Sequence, residues 1–163
     1  MFRLSLFLLP FVLCGCQPAN APATFESEPH GHSHERDKMM LADVGKKYHA
    51  ALTAHLSSKD GNELDIFFET ADEAHKPVPL PLAKFNAQAV YGAGKEYVLE
   101  FEPAPLDERK GDPDGKCSHF VAKAGWMKPE DQLTIIAIVD IDGKLVTLEW
   151  NDFNPKKFAH HID

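Results

Sequence analysis

Three histidines near the N-terminus are spaced so that they could bind one metal ion. His30, His32 and His34 alternate with Gly31 and Ser33. In an extended chain, residues two apart lie roughly 6.6 Å apart on one face, so neighbouring imidazoles could close on a shared ion. Zn²⁺, Cu²⁺ and Ni²⁺ all accept imidazole nitrogen. The spacing therefore predicts a copper or zinc site here, with a polar spacer that binds no metal as the alternative.

Cys117 and His119 are a second and weaker candidate for metal binding. Two residues apart on a predicted strand, they project to the same face, but no third ligand is visible beside them. His49 and His55 also share a strand face. Six strand residues span about 20 Å, so those two histidines cannot hold one ion and are expected to be solvent-facing or hydrogen-bonded.

No pattern typical of catalysis is present in the sequence. It contains no Gly-x-Ser-x-Gly elbow, no His-Glu-x-x-His motif and no glycine-rich phosphate loop. Cys117 and His119 do not form a Cys–His catalytic pair, because same-strand neighbours project in parallel and a third group is lacking. We therefore expect a protein that is not an enzyme.

The N-terminus has the pattern of a signal peptide. Arg3 precedes a predominantly apolar run over residues 4–13. This run is too short to cross ~30 Å of hydrocarbon as a helix, which needs about 20 residues. Its length and flanks are typical of the apolar region of a signal peptide.

The four residues Leu13-Cys14-Gly15-Cys16 resemble the bacterial lipobox. The resemblance implies cleavage before Cys16 by the lipoprotein signal peptidase, lipid attachment to the Cys16 thiol, and N-acylation. Gln17 follows rather than Asp, which implies sorting to the outer membrane, facing the periplasm, in a diderm bacterium. Several acyl chains together give stable anchoring. The lipid bilayer is therefore the first expected partner.

Composition limits the remaining partners. The net charge of the 163-residue chain is −8, and removing residues 1–15, whose only charge is Arg3, leaves 148 residues at −9. This length suits one domain, and the acidic balance argues against nucleic acid as a partner. Of three cysteines, Cys14 leaves with the signal peptide and Cys16 is lipidated. Cys117 therefore has no disulfide partner within the chain, and we expect it to be buried.

Alternating apolar and polar residues between turn signals predict seven strands over residues 43–152. Seven strands in about 110 residues are typical of an all-β immunoglobulin-like sandwich, with a half-open β-barrel as the alternative. Residues 16–42 are predicted to be a disordered tether and residues 153–163 a C-terminal tail. Because seven is odd, an up-and-down chain should enter the domain at one end and leave at the other.

The predicted core consists of the inward-facing residues of these strands. Ile136 and Ile138 suggest in addition that the sixth predicted strand is apolar on both faces. The core residues are Leu52, Leu56, Leu64, Ile66, Phe68, Phe85, Tyr97, Leu99, Phe101, Phe120, Ile135, Ala137, Val139, Val146, Leu148 and Trp150.

The whole chain resembles a group of small, His-rich bacterial lipoproteins that pair a lipobox with one β-rich domain. The resemblance is carried by the lipobox, the His30–His34 run, Asp112-Pro113-Asp114-Gly115-Lys116 before Ser118-His119-Phe120, and the pair His160-His161. It implies metal handling in the cell envelope. We expect a membrane-anchored lipoprotein that binds or buffers copper or zinc, or alternatively a structural lipoprotein that contacts an envelope protein.

Overall fold

The computed structural model describes residues 36–92, 94–109 and 111–163. These residues are all-β, with nine strands and a short 3-10 turn at Arg36–Lys38. The strands are β1 Met40–Val44, β2 Tyr48–Leu56, β3 Glu63–Thr70, β4 Phe85–Tyr91, β5 Glu96–Pro103, β6 His119–Lys123, β7 Leu133–Ile141, β8 Lys144–Phe153 and β9 Ala159–Ile162. In these ranges, no helix is long and apolar enough to cross a membrane.

The strands form a nearly closed, barrel-like antiparallel sheet in the order β1-β2-β3-β6-β5-β4-β7-β8. The two ends of this order, β1 and β8, lie against each other. Strand β9 is the exception to the antiparallel pattern, because it pairs parallel to β2. The predicted sandwich is not confirmed, because β5 pairs with both β4 and β6 and so joins the two halves into one sheet.

Alternation along the strands sends apolar side chains to the interior. In β7, Leu133, Ile135 and Val139 are buried, whereas the outward Ile138 is 60% exposed. The strand expected to be apolar on both faces and central does lie between two strands, β4 and β8, but its outward apolar side chain at Ile138 faces solvent. Asp142 and Gly143 link β7 to β8 with φ of 55° and 77°, the conformation of a two-residue hairpin turn.

Most of the predicted core is confirmed. Tyr97 and Val146 are partly exposed, and the other predicted core residues are buried. At the centre, Phe85 stacks on Phe101 with ring centroids 5.2 Å apart, and Phe68 meets Phe120 edge-on at 5.9 Å. Trp150 is fully buried, and its indole Nε1 donates a hydrogen bond of 3.1 Å to the Ala50 carbonyl.

Two strands lie outside the predicted set of seven. Strand β1 begins at Met40, in the segment predicted as tether, and β9 spans Ala159–Ile162, in the predicted tail. Both are short, with five and four residues, so neither offers enough alternation to be read from sequence. Both strands are held by pairing with β2, which is a neighbour in sequence for β1 but a long-range contact for β9.

The chain enters and leaves this sheet on the same edge. Met40 at the start of β1 lies opposite Leu52, and Ala159 at the start of β9 lies opposite Ala54. Sharing this edge does not place both termini at one end of β2. Arg36 pairs with Glu69, which lies opposite His49 near the start of β2, whereas the Asp163 amide donates to the Leu56 carbonyl at its end.

Candidate functional site

A β-bulge between β2 and β9 places two consecutive histidines opposite a third. Ala159 pairs with Ala54, but the next pair in β2 is His55 with His161, so His160 is an extra residue in β9. Two residues of the bulged strand then face one residue of the partner, and the bulge changes the direction of their side chains. Without it, His160 and His161 would point to opposite faces of the sheet.

The three rings form what we call the tail histidine cluster: His55, His160 and His161. The His55 and His161 ring centroids are 4.6 Å apart, and those of His55 and His160 are 5.4 Å apart. Imidazoles bound to one zinc ion have similar ring spacings of about 5 Å, because each nitrogen is about 2.0–2.1 Å from the metal. The His161 side chain is 48% exposed, so an ion can reach the cluster from solvent.

Backbone and hydroxyl contacts hold β9 beside β2. The Ala54 amide and the Thr53 hydroxyl both donate to the Phe158 carbonyl, at 3.0 and 2.6 Å. The same Thr53 oxygen lies 3.4 Å from His160 Nδ1. These contacts fix the start of β9 and therefore the position of both of its histidines.

The carboxylate of Asp163 holds the other end of β9. It accepts a hydrogen bond of 3.0 Å from the Ser58 amide and one of 3.4 Å from the Ser57 hydroxyl, and it lies 3.5 Å from His161 Nε2. Desolvation opposes ionisation of this carboxyl, but these hydrogen bonds and the nearby imidazole outweigh it. The pKa of Asp163 is therefore lowered from its ordinary value of 3.8.

The cluster is not a preformed metal cage. In the described part of the chain, no three His, Cys, Asp or Glu side chains are arranged to hold a metal ion as they stand. The ring separations are nevertheless short enough for side-chain rotation to direct three nitrogens at one ion. Side chains at a solvent-accessible edge change rotamer at little cost.

The structure gives Cys117 and His119 different partners. The buried Cys117 thiol donates to the His119 carbonyl at 2.8 Å, and burial raises the pKa of the thiol. The His119 ring instead has Nε2 2.8 Å from Asp65 Oδ1 and stacks on Phe67 with centroids 4.0 Å apart. No geometry here favours this pair as a joint metal site.

The remaining predicted site residues divide into two groups. Cys16 and the tether histidines His30, His32 and His34 lie outside the described residues. His49 lies within them, with Nε2 3.3 Å from Asp43 Oδ1. The paired His160-His161 was visible as a motif, but nothing in the sequence linked it to His55, since 105 positions separate His55 from His160.

Comparison with known proteins gives no match to any family model, any curated protein or any solved structure.

Proposed function

We propose that this protein is a non-catalytic lipoprotein of the cell envelope that binds a transition-metal ion of the zinc or copper class. The observation that carries the proposal is the tail histidine cluster, in which three imidazoles approach each other across the β2–β9 edge. Imidazole nitrogen suits Zn²⁺ and Cu²⁺, whereas Mg²⁺ and Ca²⁺ prefer oxygen. The open edge favours an exchangeable ion over a buried structural one.

The lipid anchor is the second part of the proposal. Cleavage before Cys16 and acylation of its thiol would place the domain at the membrane surface, in a diderm bacterium at the periplasmic face of the outer membrane. The support for this part is the signal-peptide pattern and the lipobox of residues 13–16. Metal buffering or delivery close to a membrane is the role that this combination favours.

The tether histidines belong to the same proposal. His34 is six residues before Met40, so the chain between them can extend no further than about 20 Å. Met40 lies opposite Leu52, three residues before His55 on β2. Arg36, two residues after His34, pairs with Glu69 near His49 rather than near His55, so we propose the tether histidines as a separate group of ligands.

Calorimetry with Zn²⁺ and Cu²⁺ on the detergent-extracted protein tests the proposal. Replacing His160 and His161 together with Ala should weaken binding at least about 10-fold, a loss of about 1.4 kcal/mol. The matched control is His49→Ala, which removes a β2 histidine outside the cluster and should leave affinity unchanged. A variant with Ala at His30, His32 and His34 measures how much of the metal affinity the tether histidines contribute.

Thermal melting separates the tail site from a tether site. An ion bound within the folded domain raises the melting temperature by mass action, whereas an ion held by the tether alone does not. The rise should become smaller in the His160/His161 double variant, which loses the tail site, and remain at the wild-type value in His49→Ala. Wild-type affinity no tighter than about 10 μM for either metal would refute the metal function.

The second candidate is a non-catalytic interaction role without metal. The outer faces of β5, β7 and β8 carry exposed apolar side chains: Val98 is 76%, Ile138 60% and Leu145 77% exposed. Ile138 and Leu145 are diagonal neighbours, since Ile138 pairs with Thr147 and Asp140 with Leu145. If this face contacts an envelope protein, chemical cross-linking in cells should capture the complex. Ile138→Asp should then abolish the cross-link and leave metal affinity unchanged.

A further inference from the structure

His119 occupies an unusual position between two carboxylates on the outer face of β6. One ring nitrogen, Nε2, is 2.8 Å from Asp65 Oδ1, and the other, Nδ1, is 4.0 Å from Glu108 Oε2. The side chain is only 7% exposed, and its ring stacks on Phe67. The contact with Asp65 and the stacking together fix the ring plane.

The Nδ1 atom of His119 has no hydrogen-bond partner although it is buried. If Nε2–H donates to Asp65, the Nδ1 lone pair points towards Glu108. This tautomer of His119 is assigned from the contacts of the ring. Two acceptors then face each other across 4.0 Å. That separation is too long for a hydrogen bond, and two ligand atoms of a tetrahedral zinc ion lie about 3.3 Å apart, so the exposed Glu108 side chain has to move slightly closer to bind the same ion.

The groove next to Glu108 is strongly acidic. It has a volume of about 580 Å³, and four glutamates line it. Glu63 pairs with Lys123 and Glu100 with Lys84. Among the described residues, Glu102 and Glu108 form no ion pair with a lysine or arginine. Lys84 interacts electrostatically with Glu102, but the four carboxylates outnumber Lys84 and Lys123, so the groove keeps a negative charge that favours a cation.

Strand register places Glu102 within reach of His119. Glu102 pairs with Val121 across β5 and β6, and His119 is two residues before Val121 on the same face of β6. Diagonal neighbours of this kind lie about 7–8 Å apart at the backbone, within the span of long side chains. Glu102 is exposed, so its carboxylate is free to rotate towards Glu108.

We propose that His119 Nδ1 and the carboxylates of Glu108 and Glu102 form a second cation site, separate from the tail histidine cluster, that takes a Zn²⁺-type divalent ion. Asp65 is the positioning residue, because a metal-bound histidine commonly donates its second N–H to a carboxylate. Cys117 has no part in this site, since its thiol is directed at the His119 carbonyl. One nitrogen and two carboxylates match the borderline character of zinc.

The test uses the detergent-extracted protein with Ala at His30, His32, His34, His160 and His161, which removes the tether histidines and the two β9 histidines of the tail cluster. Calorimetry with Zn²⁺ should still show one bound equivalent. Glu108→Gln and Glu102→Gln, both at exposed positions, should each weaken that binding about 10-fold or more, and Asp65→Asn by about 10–100-fold. The matched control Glu149→Gln, on the exposed face of β8, should leave the affinity unchanged.

Nitrogen NMR of the His119 side chain supplies a readout that does not depend on substitutions. Zinc should shift the Nδ1 resonance of His119 by direct coordination and leave Nε2 protonated towards Asp65. The proposal would be overturned if the variant lacking the five histidines bound no zinc. It would also be overturned if Glu108→Gln and Glu102→Gln bound zinc as tightly as the Glu149→Gln control. A His119 Nδ1 that keeps a proton at saturating zinc would do so too. These outcomes are independent of the tail histidine cluster, because its two β9 histidines are absent from the protein tested.

Discussion

At the scale of single residues, both candidate sites contain a histidine with a ring nitrogen beside a carboxylate. His161 Nε2 is 3.5 Å from Asp163, and His119 Nε2 is 2.8 Å from Asp65. A carboxylate at one nitrogen fixes the tautomer and leaves the lone pair of the other nitrogen for a ligand. The two environments differ in access, because His161 is half-exposed and His119 is buried.

Cys117 leads to a residue-scale prediction about reactivity. Burial is the main cause of its raised pKa, so the thiol stays protonated at neutral pH and is a poor nucleophile. We expect a thiol reagent to label Cys117 only when the domain unfolds, with a labelling rate that follows the denaturation curve. The control is a cysteine introduced at an exposed position of β5: the new thiol of Val98→Cys should react at once.

Rapid labelling of wild-type Cys117 under native conditions would contradict this prediction. It would mean that the thiol leaves its contact with the His119 carbonyl in the folded state. The Cys16 thiol does not interfere if it carries lipid, and Cys16→Ser removes it in any case.

At the scale of elements, strand β9 is the most weakly held part of the sheet. It has four residues and a single neighbouring strand, β2. A parallel pair of this length has few backbone hydrogen bonds. The side-chain contacts of Thr53 and Asp163 therefore supply a large part of the attachment of β9 to β2. Because β9 carries two ligands of the tail histidine cluster, its docking controls whether the cluster exists.

The Asp163 carboxylate predicts an acid-sensitive attachment of β9. Its pKa is lowered in the folded state, so its contribution to stability is present above the ordinary value of 3.8 and is lost as pH falls through the lower folded value. We expect the NMR signals of Ala159 and Ile162 to lose their β2 contacts as pH falls below about 4, before the core unfolds.

Asp163→Asn tests the cause of that transition. The variant should show weaker β9 attachment at neutral pH and little further loss on acidification, because Asn accepts hydrogen bonds without charge. Asp140→Asn, at an exposed position of β7, is the matched control and should behave as wild type. An acid transition of β9 that persists unchanged in Asp163→Asn would show that another group causes it.

At the scale of the whole molecule, closure of the sheet depends on contacts between its ends. The Trp150 indole in β8 fills the interior and donates to the Ala50 carbonyl in β2. Truncation of a fully buried side chain of this size leaves a cavity, because the surrounding core relaxes only in part. Trp150 therefore connects β8, at one end of the strand order, with β2, the second strand from the other end.

Trp150→Ala should reduce the free energy of unfolding by about 3–5 kcal/mol, measured by urea denaturation. Trp150→Phe should cost less, because it keeps most of the apolar volume and loses mainly the hydrogen bond to Ala50. Val98→Ala, at a 76% exposed position, should be nearly neutral. A helix-dominated circular dichroism spectrum of the wild type, or a neutral Trp150→Ala, would be incompatible with this core.

The lipid anchor is tested on the whole molecule by mass spectrometry. Wild-type protein purified from membranes should begin at Cys16 and carry acyl chains, which add about 0.8 kcal/mol of membrane affinity per buried CH₂. Cys16→Ser should lack the lipid and leave the precursor uncut by the lipoprotein peptidase, whereas Cys14→Ser should be processed normally. A wild-type N-terminus without acyl chains would refute the anchor.

The all-β class and most of the core could be predicted from local sequence patterns. Period-two alternation is a local property, so residues such as Ile66, Leu99 and Leu148 can be placed inside from their neighbours alone. The Asp142-Gly143 turn was equally local, because it depends on two residues that tolerate positive φ.

Closure of the sheet and the composition of the candidate sites depend instead on contacts between residues distant in sequence. Sandwiches and barrels share the same alternation, and it is pairing such as that of β5 with β6 that distinguishes them. The tail histidine cluster needs the one-residue bulge at His160, which re-aims a side chain without any periodic signal. The placement of His119 between Asp65 and Glu108 likewise depends on strand register and a loop, which local patterns do not encode.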